Sequence, residues 1–324
     1  MNTPVNLRKK QGIFALLVSL AGILVFIFYA ASPAVSSKQF PASNILHFSE
    51  ESYSSPSLKI VTYNMGYASG EKNNLPLPLT RAEVVKNLQN IVLSLKVLHP
   101  DILLLQEVDF KASRTFNINQ MEYLAKALQM PYGAYAVTWN KQYLPWPYWP
   151  PQYQFGKIVS GQAILSRLPI LKQELLKFPK PSSNPFWYNW FYLDRVAQKV
   201  TLQNEPQNFM LWNVHLEAFD AETRFSQIQA FAKWIQQEPS PWKLVAGDFN
   251  TSHLESFVNK AQMEDSQTDP SSFTFSSFHP FEQIDHVFYD PHGWEPLAKG
   301  LVSNLYASDH LPVWAELKFV KPNS

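Results

Sequence analysis

Short, mostly apolar runs of strand length recur through this chain, and each ends directly in a polar residue. LKIVTY runs into Asn64, ILLL into Gln106 and Glu107, FMLWNV into His215, and LVAG into Asp248 and Asn250. A short apolar run bounded by turn signals reads as a buried strand. The last of these is the most informative. Gly247 lets the backbone turn tightly, and alternation along extended chain points Asp248 and Asn250 the same way. Open α/β sheets bind ligands outside their strand ends. A carboxylate and an amide therefore belong at the lip of a sheet. An ordinary Asp/Asn turn would produce the same letters, so the rest of the chain has to decide.

The remaining elements alternate. After the strand Leu58–Tyr63, Thr80 opens a helix with Glu83 three residues later, a capping box. Val84, Leu88, Ile91, Leu95 and Leu98 lie on its inner face, and His99-Pro100 stops it before the strand Ile102–Leu105. Strand, helix, strand predicts an α/β fold with a parallel pairing. A second helix is expected over Gln120–Gln129, and strands over Ala134–Thr138, Gly161–Leu165, Val196–Leu202 and Phe209–Val214. Gln203–Asn208 is a polar hairpin connection between the last two. Asp220 or Thr223 caps a helix with Phe225, Ile228, Phe231 and Ile235 inward. Ser252–Phe278 reads as loop with short helical turns, and Ile284–Tyr289 and Val313–Leu317 as the final strands. No repeat and no second linker interrupts residues 58–320, which are expected to form one domain.

Upstream, Arg8, Lys9 and Lys10 precede a charge-free run from Gln11 to Ala34. Its length matches the roughly 20 residues that span a bilayer. Residues 1–31 are read as a cytoplasmic tip and an uncleaved transmembrane anchor. The alternative is a cleaved signal, for which Pro33 makes a poor site. The basic flank stays cytoplasmic. That sends the rest of the chain across the membrane, into the periplasm if the source is bacterial, or into the medium if the segment is cleaved. Ser/Pro-rich residues 32–57 read as a linker. There is no Cys, which excludes disulfides, thiolate nucleophiles and zinc-thiolate sites. Formal net charge is +1, so no global field draws in polyanions.

The strand-end polar residues fit one chemistry. Asp285 sits inside a strand, where Asp is depleted, and Asp309-His310 falls just before the last strand. Carboxylates and amides are oxygen ligands for a hard cation, Mg²⁺ or Mn²⁺. Such an ion clamps phosphate oxygens during in-line displacement. An Asp–His pair orients an imidazole for proton transfer, and Asn donors steady a developing oxyanion. Metal-assisted phosphoester hydrolysis follows from the residue types.

TYNMG, LLLQEVD, GQAILSR, NVHLEA, VAGDFN, QIDHVF and ASDHLPV occur in that order over residues 58–318. Together they resemble the endonuclease/exonuclease/phosphatase family, which includes deoxyribonuclease I and neutral sphingomyelinases. The resemblance implies a four-layer sandwich, two mixed β-sheets packed face to face with helices outside. It also implies roles. Glu107 would be the main metal ligand, with Asn64 beside it and Asp309 completing the metal side. Asp248 would position or deprotonate the attacking water, and Asn250 would bind the phosphate. His310, held by Asp285, would contact the scissile phosphate. His215 would protonate the leaving group. Arg195 would be a basic substrate contact. Arg224 and Gln227, three apart on a helix, are read as a brace for the His215 loop.

The expected activity is a membrane-anchored, monomeric phosphodiesterase with a lipid or other membrane-proximal substrate. A nuclease is the alternative within the family, and a catalytically silent binding module on the same fold is the alternative outside it. Two aromatic clusters, Trp139–Phe155 and Pro185–Tyr192, bear on the substrate. Trp and Tyr suit a bilayer interface, aromatic loops also stack bases, and both clusters could simply pack a core or pocket rim.

Overall fold

The computed structural model describes residues 4–49, 53–205, 207–267, 269 and 271–320. Residues 1–3 of the expected cytoplasmic tip, 50–52 of the expected linker and Pro206 of the expected hairpin connection lie outside the described residues. In chain order the first half contains helix α1 (Pro4–Ala31), strands β1 (Ser43–His47) and β2 (Ser57–Asn64), helix α2 (Arg81–Leu98), strand β3 (Ile102–Asp109), helix α3 (Gln120–Leu128) and the hairpin β4 (Tyr132–Leu144) and β5 (Gly156–Ser166). Then follow β6 (Ile170–Lys177), the one-turn α4 (Phe186–Asn189), β7 (Val196–Leu202), β8 (Phe209–His215), α5 (Ala221–Gln236) and β9 (Lys243–Asp248). The chain ends with α6 (Glu255–Ala261), β10 (Glu264–Asp265), β11 (Asp285–Tyr289), β12 (Trp294–Leu301) and β13 (Val313–Phe319).

Two mixed sheets result. One has seven strands in the order β1-β4-β5-β3-β2-β13-β12, the other six in the order β10-β11-β9-β8-β7-β6. Each holds one parallel pair bridged by a helix: β2 and β3 through α2, and β8 and β9 through α5. Parallel neighbours end at the same edge. Asn64 therefore lies beside Gln106, and His215 beside Asp248.

Inward side chains of the two sheets, among them Ile60, Leu104, Leu211, Ala246 and Val287, meet in a fully buried middle layer. Outside the first sheet α2 and α3 contribute Val84, Leu88, Ile91, Leu95 and Leu124. Outside the second, α5 and α6 contribute Ile228, Phe231, Ile235 and Phe257. Each such side chain stabilises the fold by about 1.5–3 kcal/mol relative to exposure. The layers are helix, sheet, sheet, helix. The capping box at α2 forms in both directions. Glu83 N donates to Thr80 Oγ1 at 3.2 Å, and Thr80 N donates to Glu83 Oε2 at 2.8 Å.

Several elements differ from expectation. The stretch read as a linker contributes β1, whose Ser43 pairs with Ala136 and His47 with Tyr132. Asn140 on β4 fixes the strap that precedes it, accepting from Ala34 N at 2.7 Å and donating to Val35 O at 3.0 Å. A Ser/Pro-rich composition forbids a helix but not an edge strand whose hydrogen bonds come from a neighbour. Strands β6 and β12 were not anticipated either. Both lie at sheet edges with several exposed residues, so neither carries an apolar run. Residues 139–144 of the first aromatic cluster continue β4 rather than forming loop. In α1, Lys9–Ala31 has mean hydropathy 2.7 and is long and apolar enough to cross a membrane.

Candidate active site

The site grows from the edge where β2, β3, β8 and β9 end. Antiparallel pairing of β11 with β9 then sets Asp285 directly opposite Asp248. The turn before β13 brings in Asp309 and His310. Asp248 Oδ2 is the hub. Asn64 Nδ2 donates to it at 2.9 Å, His215 Nε2 lies 3.5 Å away and His310 Nε2 3.8 Å away. On its other side His310 Nδ1 meets Asp285 Oδ2 at 2.8 Å. All five residues are buried.

A second group adjoins the first. Asn73 Nδ2 reaches Glu107 Oε2 at 3.1 Å and Asp309 Oδ1 at 3.2 Å. His215 Nε2, 4.0 Å from Glu107 Oε1, stands between the two groups. Local backbone makes this convergence possible. β3 bulges between Leu105 and Val108, and Glu107 adopts φ 51°. Left-handed φ costs a non-glycine residue of order 1–3 kcal/mol and persists where surrounding structure enforces it. Two glycines give close approach. A Cβ on Gly66 would stand 2.9 Å from Asp309 Oδ1, and one on Gly247 would stand 2.0 Å from Val214 O. Gly247 therefore does not make the tight turn that the sequence led us to expect. It lies inside β9 and lets β8 come close.

Burial and charge set the protonation states. Burial pushes the Asp248 carboxyl up to about 7; the charge of His310 opposes this and that of Asp285 adds to it. Burial disfavours charge on His310, but Asp285 and Asp248 outweigh it and hold its pKa well above the ordinary value. His215 moves the other way. Burial first, then the positive charges of Arg195 and His310, hold it well below the usual histidine range. Glu107 is raised by burial and by the charge of Asp309. At neutral pH the site thus pairs an imidazolium at His310 with a neutral imidazole at His215.

Asn64, Glu107, His215, Asp248, Asp285, Asp309 and His310 are therefore brought together. Arg195 is placed close by, 5% exposed, with Nε and Nη1 unpartnered and Nε 3.8 Å from Glu217 Oε2. Asn250 differs from expectation. Its φ is 54°, its N–H donates to Asp248 Oδ1 at 2.8 Å and its Nδ2 to Leu216 O at 3.0 Å. The chain is no longer extended there, so Asp248 and Asn250 do not simply point the same way, and Asn250 ties the site to the His215 loop. Arg224 and Gln227 form the expected brace. Arg224 Nη1 donates to Glu217 O at 2.9 Å, and Gln227 Oε1 accepts from Glu217 N at 2.9 Å.

Sequence reasoning missed Asn73, which lies in a loop whose letters carry no local signal. It also missed Glu217, fully buried and accepting from Tyr192 OH at 2.6 Å. A carboxylate two residues beyond a strand-end histidine was the available clue. Beneath the site Gln106 Nε2 donates to Asn213 Oδ1 at 2.6 Å, and Asn213 Nδ2 to Leu105 O at 3.1 Å. These inward-facing amides lock the two sheets together where the catalytic edge needs fixed spacing.

Two sets of donors bear on a cation. Asp248, Asp285 and His310 bring ligand atoms within 4.8 Å of one another. There, however, His310 Nδ1 is committed to Asp285, and the charge favoured on its imidazole offsets part of that of the two carboxylates. Glu107 and Asp309 have only the Asn73 amide between them. Two half-buried carboxylates bridged by a neutral amide, with the Asn64 carboxamide nearby, fit a hard divalent ion.

The sequence matches the family described as "Endonuclease/Exonuclease/phosphatase family" over residues 61–310. No curated protein matches it. Among solved structures, an endonuclease/exonuclease/phosphatase from Beutenbergia cavernae is similar, with TM-score 0.62 and 19% identity, over 81% of this chain and 72% of that one. The human Nocturnin catalytic domain with bound sulfate aligns with TM-score 0.56 and 17% identity, over 86% of this chain and 97% of that one. A Bacteroides thetaiotaomicron mannosyl-6-phosphatase aligns with TM-score 0.55 and 17% identity, over 82% and 100%. The family match runs from β2 through His310 and so takes in both groups of site residues, on a sandwich that these neighbours share: the chain belongs to the endonuclease/exonuclease/phosphatase family.

Proposed function

We propose that the protein is a divalent-metal-dependent phosphodiesterase held at a membrane by α1. One observation carries the reading: Asp248 Oδ2 lies 3.8 Å from His310 and 3.5 Å from His215, next to the carboxylates of Glu107 and Asp309, which the Asn73 amide bridges. Glu107 and Asp309, with Asn64, would hold Mg²⁺ or Mn²⁺. When bound, the ion neutralises a phosphate oxygen as charge builds during displacement.

The chain's own groups do the rest. A carboxyl near 7 is poised to take a proton from water at neutral pH, and Asp248 is such a group. His310, kept charged by Asp285, donates to a non-bridging phosphate oxygen and steadies the pentacovalent state. Arg195, buried beside Glu217, would add positive charge near the same phosphate. His215 begins neutral, so it passes a proton to the leaving oxygen only after acquiring one within the site. Asp248, 3.5 Å away, is the adjacent source once it has been protonated by water.

The test is hydrolysis of bis(p-nitrophenyl) phosphate by the purified full chain with Mg²⁺ or Mn²⁺. Asp248→Asn should lower turnover by about 10²–10⁴-fold, the scale of general acid–base catalysis. Chelation with EDTA should abolish activity, and added metal should restore it. Near-normal hydrolysis by Asp248→Asn, or activity indifferent to EDTA, would defeat the assignment.

A further inference from the structure

The two aromatic segments spring from the catalytic edge. The β4–β5 loop, residues 145–155, leaves beside the end of β3, where Asp109 pairs with Ser160. The segment 178–195 enters β7 beside the end of β8, where Ala197 pairs with Val214. The two are tied to each other and to the site. Trp139 Nε1 donates to Phe191 O at 2.6 Å and Asp194 N to Thr138 O at 2.8 Å. Tyr192 OH donates to Glu217, two residues beyond His215.

Helix α1 ends on this same rim. Phe26 lies against Tyr143 with ring centroids 5.9 Å apart, and Phe28 against Trp190 at 5.7 Å. Lys141 Nζ donates to Ala31 O at 3.0 Å, and Gln142 N to Ser32 O at 2.8 Å. Phe26 is five residues inside the end of the apolar span Lys9–Ala31, about 7.5 Å along a helix axis. A bilayer spanned by α1 therefore reaches the level of Tyr143 and Trp190.

Around that contact the rim is apolar and open to solvent. Tyr148 is 56% exposed, Trp149 77%, Phe186 71% and Trp187 52%. Single exposed apolar residues need no explanation, but a group of large aromatics beside a membrane-length helix does. Trp and Tyr are enriched at headgroup depth because an apolar ring carries a polar edge. Lys141, Lys177 and Lys180 gather on this rim around the single carboxylate of Asp194, a local positive excess that suits an anionic headgroup beside the exposed aromatics.

We propose that the catalytic mouth faces the bilayer that α1 spans, with Tyr148, Trp149, Phe186 and Trp187 seated in its headgroup layer, and that the substrate is the phosphodiester of a membrane lipid. The chemistry rests on the phosphodiesterase reading above; the docking rests on the rim alone. Water adds to phosphorus, one P–O ester bond breaks and the leaving oxygen takes up a proton. The products are an alcohol and a phosphomonoester. A mouth held against the headgroup layer takes its substrate from the membrane plane rather than from solution.

Two measurements on the full chain in phosphatidylcholine/phosphatidylglycerol vesicles decide it. In the first, part of the phosphatidylcholine carries bromine on its acyl chains, and tryptophan emission is read. The wild type should be quenched, and Trp149→Phe with Trp187→Phe should remove about half or more of the quenched signal, as expected for side chains at interfacial depth. Equal quenching in both proteins overturns the docking. In the second, Trp149→Ser, Phe186→Ser and Trp187→Ser are combined. Hydrolysis of the vesicle lipids should fall by about tenfold or more, the order of three lost apolar insertions. Hydrolysis of bis(p-nitrophenyl) phosphate should stay unchanged. Equal loss on both substrates, or wild-type turnover of a single-stranded oligonucleotide but not of lipid, overturns the lipid assignment. Failure to hydrolyse the chromogenic diester overturns the phosphodiesterase reading instead, and the quenching still decides the docking.

Discussion

Asp248 and Glu107 are both carboxylates at strand ends on one edge, yet their charges are balanced differently. Asp248 shares its environment with His310, and Asp285 keeps that imidazole charged. Glu107 has Asp309 for a neighbour and only the Asn73 amide between them. The first group carries its counter-charge in the chain. The second sets two carboxylates side by side, the pair proposed above to hold the cation. Burial and the charge of Asp309 raise the pKa of the Glu107 carboxyl, so ionising it costs stability, as at many functional sites. This second group also lies on the strained backbone of Glu107.

That contrast can be broken from either side. The largest effect is expected at the self-balanced group. Asp285→Asn removes the charge that keeps His310 protonated, so turnover should fall about 10²–10³-fold, as when one transition-state donor is lost. NMR of the imidazole at pH 7.5 should show His310 charged in the wild type and neutral in this variant. Asn73→Ala touches the other group more gently. It should raise the Mg²⁺ concentration for half-maximal activity by about tenfold, the scale of losing a ligand-orienting partner, with the maximal rate little changed. The smallest effect is on stability. Glu107 has a raised folded-state pKa, so the folded protein binds that proton more tightly than the unfolded chain does. The resulting contribution is greatest at low pH and is lost as pH rises from about 4.3 through the folded value. Without metal at pH 7, Glu107→Gln should therefore raise stability by about 1 kcal/mol. The gain should shrink towards pH 4, as read from denaturant midpoints.

The parts visible in sequence share a physical cause. Asn64, Glu107, His215 and Asp248 follow strands covered on both faces by other layers, and a strand so buried stands out as an apolar run whose polar terminus is conspicuous. Thr80 and Glu83 were legible because a capping box is local. Strands β1, β6 and β12 were not, because an edge strand is specified by its neighbour and tolerates exposed and polar residues. Asn73 and Glu217 escaped for a related reason. Asn73 gains its role only when the turn holding Asp309, more than two hundred residues later, folds against it. Glu217 gains its role from Tyr192 on another segment. The position of Asn250 was visible, but its left-handed backbone was not, and that backbone decides where its amide points.

The most direct measurement is a Mg²⁺ titration of phosphodiester hydrolysis by the wild type, Glu107→Gln and Asp285→Asn side by side. Glu107→Gln should shift half-saturation upward by about 10- to 100-fold, the cost of a lost ligand interaction, and recover much of its rate at high metal. Asp285→Asn should lose rate at every metal concentration, with half-saturation unmoved. Two variants that change the same parameter, or that both titrate like the wild type, would contradict a site divided into a metal-holding group and a proton-holding group.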